Sequence, residues 1–377
     1  MTILFLISAG VLLQTYLGYP ISLVLLRLLH LRRRVHPTTD HTPSVTLVIS
    51  AYNEEAVIRA KVENSLALDY PESRLERVVV SDGSTDRTES IVEEFRPRGV
   101  QLRSFKGRQG KVACLNRVVP DLNSDLVVMS DANSMYAKDS LRKLAGHFVD
   151  GGVGCVCGRL DYANPTNLIA GHGERLYWKY EEVIKRLESS LGALLGANGA
   201  IYAYRKELFR PVDPLMFCDD VIPIRIALRG YRVIYDPDAR CTERAVGERV
   251  EMKRRSRHAS FGMRSMLRMA REAIGAGRFL VLYQCLSHRV LRWMGGPAVL
   301  GLLVSSPFLP EAWLAPIVAG EVVFCGAGAL GFFVSRLGYR VLPLYLPFYW
   351  LATSLAGLRG LIALVLRRDV PFWEPRQ

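Results

Sequence analysis

Three aspartates, Asp82, Asp131 and Asp220, stand in sequence contexts in which a carboxylate could do chemistry. The first two directly follow short apolar runs that end in serine, and the third precedes a new apolar segment. A carboxylate can bind a divalent cation, accept a hydrogen bond from a ligand or take a proton from a substrate. Each also has an ordinary explanation, because Asp82 precedes a glycine as in a turn, and Asp131 or Asp220 could cap a helix.

A segment that contains glycine and lysine lies between the first two aspartates. It begins Lys106-Gly107-Arg108-Gln109-Gly110-Lys111 and continues to Asn116. The segment combines a flexible backbone with cationic side chains. As a bare pattern, however, such a segment is more often a solvated loop.

The segments around these residues alternate between strand-like and helix-like patterns. Short runs rich in β-branched residues predict buried parallel strands at Val45–Ser50, Val78–Ser81, Val100–Ser104 and Leu126–Ser130. Helical spacing predicts helices within Glu54–Leu68 and Thr85–Phe95. This alternation predicts an α/β fold with a doubly wound, mostly parallel sheet. Since such sheets bind ligands at the carboxyl ends of their strands, the polar residues that close the strands are expected to share one crevice.

The N-terminal end of the chain is apolar. Residues 3–29 form a run that exceeds the roughly 20 residues needed to cross a bilayer. Positive charges follow the run at Arg27 and Arg32–Arg34 and none precedes Arg27, so the positive-inside rule predicts a cytosolic domain after it. A signal peptide would need positive charge before the run and a small-residue cleavage site after it. The run is therefore predicted to be a transmembrane helix.

The C-terminal part is also apolar. Residues 278–294 include His288, Arg289 and Arg292 among apolar residues, which predicts a helix that lies in the membrane interface. Three apolar stretches follow, at about 297–309, 313–334 and 341–366, and predict C-terminal transmembrane segments. Three full crossings would put the last arginines outside, against the charge rule. One stretch could therefore be re-entrant, and the number of crossings stays open.

The charge and the cysteines narrow the class of protein. The formal net charge is +13, from 49 Lys and Arg against 36 Asp and Glu. Much of the excess lies beside apolar segments, as at residues 253–257, which favours the anionic face of a membrane over nucleic acid. The seven cysteines contain no C-x-x-C pair, which favours free thiols in a reducing compartment.

In order and spacing these motifs resemble those of the family-2 inverting glycosyltransferases, the group that includes cellulose, chitin, hyaluronan and poly-N-acetylglucosamine synthases. The resemblance covers about residues 45–257, and the flanking apolar segments are arranged as in the polysaccharide synthases. It implies a nucleotide-sugar domain of the GT-A type with transmembrane helices at both ends. The predicted divisions are an N-terminal transmembrane helix at 1–31, a basic linker at 32–43, a cytosolic glycosyltransferase domain at 44–270, interfacial helices at 271–295, C-terminal transmembrane segments at 296–366 and a tail at 367–377.

The resemblance also implies a donor site. Tyr52 would stack on a uracil ring, Asp82 would accept the uracil imide proton, and Lys111 would contact the diphosphate. Residues 253–258 fall where the polysaccharide synthases carry Q-x-x-R-W, a segment that contacts diphosphate and acceptor. The predicted nucleotide-sugar-binding residues are Tyr52, Glu54, Asp82, Lys111, Asp131, Arg254 and Arg257.

Asp131-Ala132-Asn133 resembles the D-x-D metal motif of the family, with Asn in place of the second Asp. Two oxygens on one strand end could hold Mg²⁺ or Mn²⁺ together with the donor diphosphate, and the metal would offset charge on the leaving nucleotide. An amide oxygen is neutral, so we expect Asn133 to bind the metal more weakly than a carboxylate would.

Phe217-Cys218-Asp219-Asp220 resembles the T-E-D segment, whose last Asp is the catalytic base of the family. Asp220 is therefore the predicted base, and Asp219 is expected to orient it or to raise its pKa by like charge. Helix capping by both residues stays an alternative. The small-residue segment 196–205 resembles the acceptor loop, which implies acceptor contacts at Asn198 and Gly199. His258 replaces the family Trp and removes a stacking surface for a growing sugar chain.

The sequence thus predicts a hexosyltransferase that moves a sugar from a UDP-sugar or another nucleotide sugar to a growing polysaccharide. The predicted location is the cytosolic face of the cell (inner) membrane, with several spans in the bilayer and no nucleic-acid partner. One alternative is transfer of a single sugar to a lipid or lipid-linked acceptor, which the missing Trp favours. A second alternative is a membrane scaffold or transport subunit without activity, which should have lost the three aspartates.

Overall fold

One mixed β-sheet forms the centre of the protein. The computed structural model describes residues 1–29, 37–163, 172–244, 248–337, 339 and 341–366, and at 172–178, 248–260, 356 and 363–365 it describes the backbone alone. The strands of this part of the chain are β1 (Val45–Ala51), β2 (Leu75–Ser81), β3 (Val100–Ser104), β4 (Leu126–Asp131), β5 (Met135–Tyr136), β6 (Val153–Ala163), β7 (Tyr202–Arg205) and β8 (Arg232–Arg244). They form a single eight-stranded sheet in the order β3-β2-β1-β4-β7-β6-β8-β5.

The first four strands of this order are parallel and level with one another. Ala51 at the end of β1 pairs with Ser81 at the end of β2, and Ser50 pairs with Asp131 at the end of β4. The register therefore brings the carboxyl ends of these strands to one edge of the sheet. The predicted α/β fold is confirmed, and so are the four predicted strands, to within three residues at their ends.

The other half of the sheet is less parallel than the sequence predicts. β7 is antiparallel to both β4 and β6, and β5 is antiparallel to β8. β7 consists of the last residues of the segment predicted as an acceptor loop, and Tyr202 and Tyr204 within it are fully buried. A strand of four residues that follows a run of small residues carries too little periodicity to be recognised from sequence.

Helices cover both faces of the sheet. They are α3 (Ile58–Leu66), α4 (Thr88–Glu93), α5 (Lys111–Val118), α6 (Ser140–Gly146), α7 (His172–Ser190), α8 (Cys218–Leu228) and α9 (Glu248–Gly275). Alternate residues of β1 contribute to two separate apolar clusters, Val48 to one and Leu47 and Ile49 to the other. Both faces of the parallel half are therefore buried, which explains why its strands read as continuous apolar runs.

The remaining helices lie at the two ends of the chain. They are α1 (Thr2–Leu13) and α2 (Tyr19–Leu29), which a π-helical turn joins, α10 (Phe279–Gln284), α11 (Leu291–Trp293), α12 (Gly295–Ser305), α13 (Glu311–Arg336) and α14 (Leu342–Val365). Within the described residues, Thr2–Leu29 and Glu311–Arg336 are long and apolar enough to cross a bilayer. Their apolar side chains are largely exposed, as at Ile3 with 74% and Val323 with 70% exposure. Neither helix is thus an ordinary core helix.

The terminal helices pack against one another and against the sheet domain. Ser8 of α1 lies at Gly301 of α12, and Gly331 of α13 lies at the backbone of Leu344 on α14, where a Cβ would collide. Tyr19 and Leu23 of α2 join a buried cluster with residues of α7. The N-terminal helix is therefore in direct contact with the domain that carries the three aspartates.

Candidate active site

A crevice opens at the carboxyl ends of β1, β2 and β4, beside the first turn of α5. It brings together six of the residues predicted from the sequence. These are Tyr52, Glu54, Asp82, Lys111, Asp131 and Asn133. The level register of the parallel strands is the reason that residues about 80 positions apart meet here. The crevice is thus the place where the expected strand-end residues converge.

Asp82 binds the glycine-containing segment that follows β3. Its Oδ1 accepts a hydrogen bond from the backbone N–H of Gln109 at 2.7 Å, and its Oδ2 accepts one from Gly110 at 2.9 Å. The Cys114 thiol donates to Oδ1 at 3.3 Å. A carboxylate has about four lone-pair sites, so Asp82 can still accept a further hydrogen bond from a ligand. In addition to any ligand contact, it fixes the loop that carries Lys111.

Gly83 makes the closest backbone approach in the crevice. It has φ of +71°, and a Cβ there would lie 2.6 Å from the carbonyl carbon of Gly107. Gly107 has a similar φ of +70°, but a Cβ on it would meet no atom within 4 Å. The two glycines therefore share the left-handed backbone and differ in the space around them.

We predict that Gly83→Ala destabilises the protein more than Gly107→Ala does. A left-handed alanine costs about 1–2 kcal/mol in either position, and at Gly83 the backbone collision adds to this cost and displaces the loop. The midpoint of thermal unfolding of each variant measures the difference. Equal losses in the two variants would show that the Gly83–Gly107 contact does not matter.

The aromatic ring of Tyr52 makes a cation–π contact with Arg108. The guanidinium carbon of Arg108 lies 4.1 Å from the centre of the ring. The adjacent turn is held by Asn53, which has a positive φ of 52° and whose Oδ1 accepts a hydrogen bond from the N–H of Thr85 at 2.8 Å. Asn tolerates this backbone better than other residues with a side chain. Tyr52, which lines the crevice, and Arg108 thus form a cation–π pair.

Lys111 and Asp131 form an ion pair inside the crevice. The ammonium lies 2.8 Å from Asp131 Oδ1, and the two side chains are 23% and 20% exposed. Burial alone would lower the pKa of Lys111, but the carboxylates of Asp131 and Asp219 hold it above its usual value. Lys111 is therefore a fixed positive charge between the end of β4 and the start of α8.

The strand end at Asp131 suits a hard divalent cation. Asp131 and Asn133 both line the crevice and offer oxygen ligands. Among the described residues, no group of three or more His, Cys, Asp and Glu is placed to hold a metal. A cation here would thus use few protein oxygens and complete its shell with water and substrate phosphates, as Mg²⁺ commonly does. The residues present fit such an ion.

A buried lysine lies behind the metal motif. Lys61 of α3 is fully buried, donates to the carbonyl of Ser134 and lies 4.1 Å from the ring centre of Tyr136. Burial lowers the pKa of Lys61 to about 7. The Ser134 hydroxyl donates to Glu243 at 2.5 Å. These groups fix the turn that follows Asp131. The sequence analysis missed them, although Lys61 falls on the apolar face of its helix beside Ile58 and Val62, which is an unusual place for lysine.

Asp219 and Asp220 lie in the first turn of α8, where their side chains point to different neighbours. A Cβ on Gly199 would collide with the Asp219 carboxylate, and one on Gly196 would lie 2.6 Å from Asp220 Oδ1. The small residues of this loop thus make room for the two carboxylates. The N-cap of α8 is Phe217, with no side-chain cap hydrogen bond, so neither aspartate is the N-cap residue of α8.

Asp220 faces the C-terminal helices. Arg289 Nη2 lies 3.5 Å from Asp220 Oδ1, and the Asp220 side chain is 15% exposed. Burial raises the pKa of Asp220, Arg289 opposes this shift, and Asp219 adds to it. A buried carboxylate with a raised pKa that is still held by a cation is a suitable proton acceptor.

Arg289 belongs to a buried polar cluster that also contains Tyr19, Glu188 and His288. The hydroxyl of Tyr19 donates to Glu188 at 2.5 Å, and the His288 ring lies 2.7 Å from the same carboxylate. Burial alone would raise the pKa of Glu188, but His288 and the hydrogen bonds hold it below its usual value. This cluster joins the N-terminal helix to the turn that carries Arg289. Sequence reasoning could not find it, because its members are distant in the chain.

Two of the three predicted acceptor residues, Asn198 and Gly199, are fully described, whereas the side chains of His258 and of the predicted nucleotide-sugar-binding residues Arg254 and Arg257 are not. Asn198 and Gly199 lie in the loop beside Asp219, with the Ala197 N–H donating to the Asp219 carbonyl at 2.8 Å. Arg254, Arg257 and His258 belong to α9, but their side chains are outside the described part of the structure. The roles predicted for these three residues therefore stay predictions.

Comparison with known proteins finds similarity to glycosyltransferases. Residues 46–212 match the family model described as Glycosyl transferase family 2. A beta-monoglucosyldiacylglycerol synthase from Synechocystis sp. is 36% identical over 126 residues, which are 32% of this chain and 26% of that protein. A poly-beta-1,6-N-acetyl-D-glucosamine synthase from Staphylococcus aureus is 26% identical over 217 residues, 56% of this chain and 52% of that protein. The chain thus spans about a quarter to a half of the length of these relatives.

A solved structure is similar over almost the whole chain. It is the mannosyltransferase PcManGT from Pyrobaculum calidifontis in complex with GDP-Man and Mn²⁺, with a TM-score of 0.74 and 23% sequence identity. The match covers 97% of this chain and 100% of that one. At this identity the likeness shows a shared fold, and it extends over the terminal helices as well as the sheet.

Proposed function

We propose that the whole protein is an inverting glycosyltransferase that works at a membrane surface. The match of residues 46–212 to the family 2 glycosyltransferase model supports the transferase activity. The observation that carries the proposal is that Lys111 pairs with Asp131 and also interacts with the carboxylate of Asp219, the residue before Asp220. Asp131 is the last residue of β4 and lines the nucleotide crevice, whereas Asp220 lies in the first turn of α8, next to Arg289. Donor and acceptor would meet between them.

The crevice would bind the nucleotide sugar. The Tyr52–Arg108 pair offers a stacking face for the base, and Asp82 offers an acceptor for an N–H of the base. Lys111 would contact the diphosphate, and Asp131 and Asn133 would hold Mg²⁺ or Mn²⁺. When bound, the metal would offset negative charge that develops on the leaving diphosphate. The similar mannosyltransferase structure was determined with GDP-Man, which is in keeping with a nucleotide-sugar donor.

Asp220 would act as the general base. As an oxygen of the acceptor attacks the anomeric carbon, its proton passes to the Asp220 carboxylate. The bond between the anomeric carbon and the diphosphate oxygen breaks on the opposite face, so the configuration inverts and a nucleoside diphosphate leaves. Asp219 interacts with Lys111, and its negative charge would help to keep the pKa of Asp220 raised.

We place the protein in the cell membrane, with its catalytic domain in the cytosol. The exposed apolar side chains of the terminal helices need a non-aqueous surrounding, because so large an apolar surface is unfavourable in water. Arg27 and the following arginines would keep the catalytic domain on the cytosolic side. The helices α12, α13 and α14 would supply the C-terminal membrane segments.

Two acceptor classes fit this site. A growing polysaccharide is the acceptor that the sequence predicts, and the Staphylococcus aureus relative is named for a polymer product. A lipid is favoured by an apolar cavity between the terminal helices, and the Synechocystis relative is named for a glycolipid product. A scaffold without activity is disfavoured, since Asp82, Asp131 and Asp220 are all present.

The proposal predicts release of a nucleoside diphosphate by the purified protein in lipid. We expect one nucleotide sugar from a panel of UDP- and GDP-sugars to raise the midpoint of thermal unfolding, because a ligand stabilises the state that binds it. The same sugar should support turnover with Mg²⁺ or Mn²⁺. If no donor in the panel stabilises the protein and none supports release of a nucleoside diphosphate, the proposed function is wrong.

A further inference from the structure

An elongated cavity of ≈ 990 Å³ lies between the terminal helices. Its walls come from α1, α12, α13 and α14, and they include Phe5, Leu302, Ile317 and Leu346. The lining residues of α1 and of the π-helical turn after it extend from Phe5 to Tyr16, a length of roughly 16 Å at the rise of an α-helix. The cavity is therefore long enough to hold an extended chain.

The walls of the cavity are apolar. Among the described lining residues, Glu321 is the only charged one, and its Oε2 accepts a hydrogen bond from the Ser306 hydroxyl at 2.6 Å. A path for a glycan would need many groups that bind its hydroxyls, and these walls lack them. The chemistry of the cavity suits a hydrocarbon chain.

The other end of the cavity meets the polar cluster beside the candidate base. Tyr16, Tyr180 and Trp350 form this end, and the Tyr180 hydroxyl donates to the carbonyl of Tyr16 at 3.4 Å. The next residue, Glu181, binds Arg292 at 2.5 Å. Arg289, one turn before Arg292, faces Asp220. The Tyr16–Tyr180 end of the cavity therefore lies next to the series of ion pairs that ends at Asp220.

We propose that this cavity binds the hydrocarbon chain of a lipid acceptor, whose reacting oxygen lies at the Tyr16–Tyr180 end and faces Asp220. The inference rests on the proposed glycosyl transfer and names its acceptor class. A chain held in the cavity positions the oxygen beside the base, and it does so only for acceptors that carry such a chain. A lipid hydroxyl and a lipid phosphate share this requirement.

Gly320 provides a direct test. Gly320 lines the cavity on α13, and a Cβ there would meet no atom within 4 Å. The leucine side chain of Gly320→Leu can therefore enter the cavity without a clash at its Cβ. Gly326→Leu is a matched control, because Gly326 lies on the same helix, also has no atom within 4 Å of a Cβ and does not line the cavity. Both variants add the same side chain to the same helix.

We expect Gly320→Leu to raise the KM for a long-chain acceptor at least about tenfold, which corresponds to about 1.4 kcal/mol of lost binding. The probes are dioleoylglycerol and a long polyprenyl phosphate in detergent micelles, with dioctanoylglycerol as the short-chain comparison. The KM for the nucleotide sugar should not change, and Gly326→Leu should behave as the wild type. Transfer to one probe and not to the other identifies a hydroxyl or a phosphate as the reacting head.

Three results would overturn the inference. The first is an equal KM for long-chain acceptors in Gly320→Leu and in the wild type. The second is that the protein turns over its donor but transfers sugar to neither lipid probe. The third is that the protein makes a polymer ladder and Gly320→Leu does not change it. Failure of the proposed function gives a different result, because the wild-type protein would then release no nucleoside diphosphate with any donor. The two failures are thus distinguishable in one series of assays.

Discussion

Asp220→Asn is expected to reduce sugar transfer about a thousandfold, the size of effect that loss of a general base commonly has. The substitution keeps the shape of the side chain and leaves Arg289 in place 3.5 Å from the lost oxygen. Binding of the nucleotide sugar should survive, since Asp220 lies on the side of Arg289 and not among the residues of the nucleotide crevice. The measurements are kcat for nucleoside diphosphate release and the affinity for donor in the absence of acceptor.

The pH dependence of kcat/KM makes the same assignment testable without loss of activity. Burial raises the pKa of Asp220, so the rate should fall on acidification at a pH above the usual range for aspartate. Asp219→Asn removes one of the causes of the raised pKa. The acidic limb should therefore move to lower pH in that variant, while much of the activity remains.

The two single variants separate the candidates for the base. If Asp219→Asn loses transfer and Asp220→Asn retains it, the assignment of the base is wrong and the carboxylate nearer to Lys111 does the chemistry. If both variants retain full transfer, α8 does not supply a base at all. Thermal unfolding of each variant shows that a loss of rate is not a loss of folded protein.

The parallel half of the sheet and the donor crevice could be predicted because their information is local. The strands are short apolar runs, and polar residues that line the crevice, such as Asp82 and Asp131, stand at their carboxyl ends. One physical rule, that parallel strands present their carboxyl ends at one edge, then brings these residues together. No long-range contact had to be known.

The acceptor side could not be predicted in the same way. Arg289 and His288 look like interfacial residues in the sequence, and Tyr19 looks like part of an apolar span. They become a cluster only because α2 packs on α7 and the π-helical turn at Cys285–Val290 returns to the same place. Lys61 is similar, since its burial behind Asp131 depends on the docking of α3. Contacts between distant helices leave no pattern in a single sequence.

Asp131→Asn is expected to raise the concentration of Mg²⁺ or Mn²⁺ needed for half-maximal activity at least about a hundredfold. The change removes the one carboxylate of the D-x-N motif, and even the loss of a residue that merely supports a metal ligand costs about 10–100-fold. Titration of the metal at saturating donor, after treatment with a chelator, measures the effect. Lys111 loses its ion-pair partner in this variant, so part of the loss could arise from a disturbed crevice.

Asn133→Asp resolves that ambiguity, because it predicts a gain that damage to the fold cannot imitate. A second carboxylate beside Asp131 adds negative charge to the ligand set, and more charged oxygen ligands bind a divalent cation more tightly. We expect half-maximal activity at about tenfold less metal, with the Lys111–Asp131 pair still present. If Asp131→Asn and Asn133→Asp both leave the metal titration unchanged, the cation is not held at the end of β4, and Lys111 alone would have to neutralise the donor diphosphate.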